Sequence, residues 1–398
     1  MSDQLEAPVS AAPEGRRIGE VDSLRGFALF GILVTNALMA TALFSFNGTG
    51  THVHPTFDGT QDHFVAAVLE ALFLGKFYLL FAFLFGYSFT LQIAAARRAD
   101  APAVPRLVRR GVMLFAIGLA HVLFLWIGDI FTLYGGLCLI LVLLRNIRPR
   151  TALITGLILY FTFALLAFLP GAGGMTGLGD LFDFQAMHRA YTGSFVDTLH
   201  IQQQIGPKFM LLTWFAQGIP ALSMFLIGMA AGKYRVFEDR ERLQRWVPRA
   251  LTVGFGVGVP ISLISYAYLM VRKDMPAHWY GLQELANPFM TLGYIGGIIW
   301  LTRTRWAAAV ARLAPAGRMA ASNYIGQSVV LMVVYTGYGL ALADKVPPAG
   351  VFAIAVVTFA AQLGFSAWWL RRHAYGPVEW LLRAATYLTV PAWRKSSV

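Results

Sequence analysis

At 398 residues, with 57% hydrophobic side chains, 13% charged ones and a mean hydropathy of +0.59, this chain excludes a water-soluble enzyme built on one ordinary core. The net charge of +12 points first to nucleic acid, but most of the 32 Lys and Arg residues fall in alternate loops between apolar runs, so topology and anionic lipid account for them and no nucleic-acid partner is expected. The single cysteine, Cys138, lies inside such a run, which excludes an intramolecular disulfide and Cys-based metal clusters.

Residues 1–20 are polar, with Pro8, Pro13 and Gly15, and read as a disordered tail. Residues 21–371 read as an all-α transmembrane bundle of about ten spans, placed at roughly 24–44, 77–95, 108–127, 130–144, 151–170, 209–231, 250–271, 285–302, 319–341 and 350–370. The stretch from Phe64 to Ala96 is too long for one span and contains Glu70, Gly75 and Lys76, so it divides into an interfacial or re-entrant helix and the second span. Arginines cluster before the first span, at 97–110, at 145–150, at 235–249, at 303–318 and at 371–394, which predicts that both termini face the cytoplasm of a bacterial inner membrane. Two outer loops are long, 45–63 and 171–208, the first with His52, His54, Asp58, Asp62 and His63, the second Gly-rich over 171–179. Loop histidines two apart recur by chance, and no metal is expected. Residues 372–398 form a cytoplasmic amphipathic tail in which Pro377 opens a helix whose apolar residues, from Val378 to Leu388, recur at helical spacing on the inner membrane surface.

Polar groups inside spans face a cavity or one another, so the short list of them is informative. Asp22 and Arg25 stand at the inner mouth of the first span, and Asn36, eleven residues beyond Arg25, lies roughly 16 Å deeper. In the third span His121 is expected about 12 Å below Asp129, two turns down on the same face, with a tight hairpin at Gly128 and Asp129. Gln217 in the sixth span and Gln327 in the ninth fall in the same depth band, and Asn323 shares a face with Gln327, as Arg318 does with Ser322. Two bland readings stand beside these: amides that bridge helices, worth about 0.6 kcal/mol on average, and an Asp N-cap with an Arg reaching lipid phosphate. Gly135 with Gly136, and Gly293 with Gly296 and Gly297, permit close helix contact and a homo-oligomer.

At several of these residues the chain resembles the YeiB-like family of uncharacterised bacterial membrane proteins. The matching segments are Asp22-Ser23-Leu24-Arg25-Gly26 with Asn36, Gly75-Lys76-Phe77, His121 with Trp126 and Gly128-Asp129-Ile130, Gly317-Arg318-Met319 with Asn323-Tyr324 and Gln327-Ser328, and Gly376-Pro377-Val378-Glu379-Trp380. That family is distantly similar to membrane acyltransferases such as heparan glucosamine N-acetyltransferase, whose first span begins Asp-x-x-Arg-Gly with an Asn eleven residues past the Arg, as at Asp22, Arg25 and Asn36 here. The similarity implies an outer-side histidine soon after the Asn. This chain has Asn47 eleven residues beyond Asn36, with His52 and His54 following, so His121 is the preferred base and His54 or His52 the reserve.

The expected function is transfer of an acyl group from a cytoplasmic acyl-CoA or acetyl-CoA donor to a glycan or lipid-linked acceptor at the outer face. Asp22, Arg25 and Arg318 would hold the donor, and His121 with Asp129 would activate the acceptor. Asn36, Gln217, Asn323, Gln327 and His54 would line the acceptor pocket. The alternative is a proton-coupled transporter of a small molecule or lipid, using His121 and Asp129 as a relay.

Overall fold

In lipid an apolar run has no hydrogen-bond partner for its backbone but itself, so helices follow. A computed structural model describes residues 18–44, 57–166, 168, 182–272 and 277–395; among them the chain is all-helical, without a strand. In order the helices are α1 (Gly19–Phe44), α2 (Thr60–Phe73), α3 (Phe77–Arg98), α4 (Ala103–Phe124), α5 (Phe131–Leu143), α6 (Pro149–Leu166), α7 (Phe184–Tyr191), α8 (Phe195–Lys233) and α9 (Arg240–Arg272). Then come α10 (Ala277–Leu301), α11 (Ala307–Ala311), α12 (Ala314–Arg318), α13 (Ala320–Tyr335), α14 (Pro348–Arg372) and α15 (Pro377–Tyr387).

Seven helical stretches among the described residues are long and apolar enough to cross a bilayer, within α1, α2 with α3, α4, α6, α8, α9 and α14. The chain is therefore a multi-pass membrane protein. Shorter α5 is apolar throughout, while α10 and α13, which overlap the spans expected at 285–302 and 319–341, are not among these seven. Exposed Phe124, Ile158, Phe215, Leu263 and Val357 give such a bundle its lipid-facing surface.

The expected division of the second apolar stretch falls at Leu74–Lys76, where Gly75 takes φ 80°. The left-handed region suits glycine, and a Cβ there would also overlap the Asn287 amide. Helix α8 is longer than the span expected at 209–231: its 39 residues rise about 58 Å, and a Ser194–Asp197 capping box starts it at Phe195, well before 209. Helix α4 stops at Phe124 and α13 at Tyr335, both short of the expected ends. The glycine faces that would permit a homo-oligomer are filled from within, Gly135 by α4, Gly293 and Gly296 by α9, and Gly136 by Trp214.

At the arginine-rich end α1 and α12 pack backbone against backbone. A Cβ on Gly317 would overlap the Asp22 carbonyl, and one on Gly26 the Leu313 carbonyl. Small residues at a helix crossing allow this approach, which sets Arg25 and Arg318 on adjoining helices. Gly317→Ala is expected to lower the thermal-unfolding midpoint in detergent by several degrees, from an overpacking cost of about 1–3 kcal/mol. Gly364→Ala, whose Cβ meets nothing within 4 Å, leaves the midpoint in place.

The tail does more than lie on a surface. Helix α15 packs under α4 and α13, burying Leu382 and Thr386, while Leu381 and Leu388 remain exposed. Arg109 Nε donates to the Thr386 carbonyl (3.0 Å), and Lys395 Nζ donates to the Leu370 carbonyl (2.7 Å).

Candidate functional site

A cavity of about 1370 Å³ opens at the arginine-rich end. Arg25, Arg98, Arg110, Arg240, Arg303, Arg318 and Arg383 line it and outnumber its carboxylates, Glu20, Asp22, Glu238 and Glu379. Asp22, Arg25 and Arg318, expected to hold a donor, all reach this one space. Arg25 is oriented by Asp22 Oδ1 (2.6 Å) and by Ser88 Oγ (2.6 Å), and Ser88 in turn donates to the Leu84 carbonyl. Arg110, in the second turn of α4 and singled out by no motif, has a buried Nε without a hydrogen-bond partner. A buried guanidinium N–H left without a partner, in a cavity shared with Arg25, is a donor that an anionic oxygen could satisfy.

Glu379 closes one side. Its Oε1 accepts from the Ala321 (2.6 Å) and Ser322 (3.2 Å) amides and its Oε2 from Ser322 Oγ (2.6 Å), so α15 supplies the N-cap that α13 lacks within its own sequence. Burial pushes the Glu379 carboxyl above the usual carboxylate range, against the pull of these donors.

Deeper in the bundle, His121 Nδ1 lies 2.9 Å from Asp129 Oδ1 and His121 Nε2 lies 2.9 Å from Ser328 Oγ. The expected 12 Å between His121 and Asp129 is thus corrected to direct contact. The reason is local: α4 ends at Phe124, the Leu125 and Trp126 amides both fold back onto the His121 carbonyl, and the turn lowers Asp129 beside the ring. Asp129 is fully buried, and its second oxygen accepts the Thr132 amide at 2.6 Å. A carboxylate so placed accepts a hydrogen bond from Nδ1–H, which keeps the ring proton on Nδ1 and leaves Nε2 as the acceptor for the Ser328 hydroxyl. Ser328, quoted in the sequence only as part of a motif, completes a Ser–His–Asp chain.

The rings of Phe131 and Tyr324 stand against His121, with centroids 6.1 Å and 5.3 Å away and 4.9 Å from each other. Phe131 also lines the cavity, so a ring beside His121 forms part of the cavity's wall. Asn36 lies beside Tyr324, whose hydroxyl donates to the Gly128 carbonyl (3.0 Å), and so joins this cluster from α1.

The other expected pocket residues lie elsewhere. Gln327 donates to Gln362 Oε1 (2.9 Å) and the Leu29 carbonyl (3.4 Å), while Asn323 donates to Ser366 Oγ (2.9 Å) and the Ala316 carbonyl (3.1 Å). Both hold helix seams. Gln217 is half-buried on α8 and makes no hydrogen bond with the His121 cluster. His54 and His52 lie outside the described residues.

A second polar cluster was not legible in the sequence. Tyr78 (3.2 Å) and Tyr160 (2.9 Å) donate to Glu284 Oε1, and Asn287 donates to its Oε2 (3.0 Å). Fully buried Lys76, at the break between α2 and α3, donates to the Glu70 carbonyl at 3.5 Å. Tyr134, a cavity residue, donates to the Tyr78 carbonyl (3.2 Å).

Residues 231–389 match a family described as "Protein of unknown function (DUF418)". Along nearly its whole length the chain is similar to the "Uncharacterized protein YxaH" of Bacillus subtilis (strain 168), at 31% identity over 96% of this chain and 97% of the relative. It is likewise similar to the "Uncharacterized protein YeiB" of Escherichia coli (strain K12), at 29% identity over 95% and 98%. A 39.9 kDa protein encoded in the amylase 3' region of Bacillus acidopullulyticus is 26% identical over 93% and 94%.

Proposed function

We propose, from the premise that this chain belongs to the YeiB-like family of multi-pass membrane proteins, that it is an acyltransferase of the bacterial inner membrane. It takes an acyl group from a cytoplasmic acyl-CoA or acetyl-CoA and delivers it to a hydroxyl or amine of a glycan or lipid-linked acceptor at the outer face. One observation carries the reading: an arginine-lined cavity of about 1370 Å³ whose wall includes Phe131, the ring that packs on His121. The diphosphate and 3'-phosphate of coenzyme A supply anionic oxygens for the arginines of this cavity, among them the Arg110 Nε that has no hydrogen-bond partner. The thioester arm, thin and largely uncharged, is the part that can pass the Phe131 ring. Oriented by Asp129, His121 removes the acceptor proton. Crossing as an acyl group spares the membrane the charged donor.

The test is binding of acetyl-CoA and a long-chain acyl-CoA to the purified protein in nanodiscs. Binding that weakens as salt rises, followed by thiol release when a bacterial glycolipid fraction is added, supports the reading. No binding at millimolar donor overturns it.

The buried Lys76–Glu284 cluster favours one second reading, a proton-coupled transporter, because intramembrane ionisable groups mark relays. Proteoliposomes that carry a pH gradient without substrate acylation, and lose coupling on Glu284→Gln, would replace the first reading with this one.

A further inference from the structure

We propose that Ser328 is a nucleophile, and that the acyl group rests on it as a covalent ester between donor and acceptor. This rests on the acyltransferase reading above and adds a chemical intermediate to it.

A serine inside a membrane helix ordinarily satisfies its hydroxyl on the carbonyl one turn back. Ser328 has that option at 3.3 Å to the Tyr324 carbonyl, but the shorter contact is to His121 Nε2, at 2.9 Å. The imidazole is held in turn by Asp129 at 2.9 Å, and Asp129 by the Thr132 amide. Nucleophile, base and orienting acid, each within hydrogen-bond reach of the next, is the arrangement that activates a hydroxyl. Three buried polar side chains are also costly in an apolar seam, and an Ala–Leu–Ala packing would serve stability alone as well. Place matters too. Ala320 and Ala321 line the cavity, and Ser328 stands two turns further along the same helix, about 10 Å from them.

In the first half-reaction His121 Nε2 takes the Ser328 proton as Oγ attacks the thioester carbonyl carbon. The C–O bond forms, the C–S bond breaks, and the sulfur leaves with that proton as free CoA thiol. In the second, His121 Nε2 takes the proton of the acceptor hydroxyl or amine, the acceptor attacks the serine ester, and Ser328 Oγ leaves, regaining the proton. No redox partner is needed. The two halves suit a donor and an acceptor that approach from opposite faces, since they never need to meet.

The experiment has two probes. Wild-type protein is incubated with acyl-CoA, and separately with a serine-directed fluorophosphonate, and peptide mass spectrometry reads the adducts. The expected result is an acyl mass and a phosphonate mass on the peptide containing Ser328, both absent from Ser328→Ala, with transfer reduced about 10³-fold or more. Ser328→Cys, which conserves the geometry, gives an acyl adduct that neutral hydroxylamine removes. A wild-type protein that forms neither adduct overturns the nucleophile; if it still releases CoA only when acceptor is present, the acyltransferase reading survives without it. Phosphonate labelling at Ser328 with no response to acyl-CoA keeps the nucleophile and overturns the donor class.

Discussion

Asp129→Asn is expected to lower acyl transfer by about 10³-fold or more, with little change in the unfolding midpoint. The size follows from tautomer control. The Thr132 amide, 2.6 Å from Asp129 Oδ2, requires an acceptor, so the new side chain turns its oxygen there and presents its NH₂ group to His121 Nδ1. Nδ1 must then accept, which moves the ring proton to Nε2 and points a donor at Ser328, where an acceptor is needed. The shape is kept and the chemistry reversed. Steady-state kinetics should show the loss in kcat with donor affinity unchanged; unchanged kcat in a properly folded Asp129→Asn protein would remove His121 from the reaction.

Arg25→Ala is expected to weaken acyl-CoA binding by about 10- to 150-fold, the range of a charge-assisted hydrogen bond worth 1.5–3 kcal/mol. Arg25 is held from two sides, by Asp22 and by Ser88, so the guanidinium is oriented before any ligand arrives. Arg25→Lys restores charge without the planar fork and should recover only part of the affinity. Here the loss belongs in KM, and the slope of affinity against salt should flatten, the reverse of the Asp129→Asn pattern. Equal donor affinity in wild type and Arg25→Ala would mean that the cavity serves some other anion.

Much of the bundle was legible because a backbone in lipid has few options, and apolar length marks each helix directly. The arginines at the ends of α1 and α12 were legible for a related reason: charge at a helix mouth is costly unless something answers it. His121 and Asp129 were rightly paired on a mistaken geometry, since helical spacing says nothing of a chain that unwinds at Phe124 and doubles back. Ser328 escaped notice because serines in membrane helices are commonplace and its partner arrives from α4, with no trace in local pattern. Lys76 was visible as a break in an apolar run, but its proximity to Glu284 comes from the packing of α3 with α10 and leaves no local pattern. Glu379 and Arg383 were assigned to a surface tail because an amphipathic stripe looks alike whether it covers lipid or protein.

The cap that α15 gives to α13 also orders events in biosynthesis. Ser322 leaves the ribosome 57 residues ahead of Glu379, so the newly inserted helix waits in the translocon with bare amides at its first turn. During that interval the arginine basin is an open gully, and only the late arrival of the carboxylate seals its rim. A nascent chain stalled after Arg372 but before Glu379 would carry the helices up to Arg372 and still present an unfinished vestibule to the quality-control machinery.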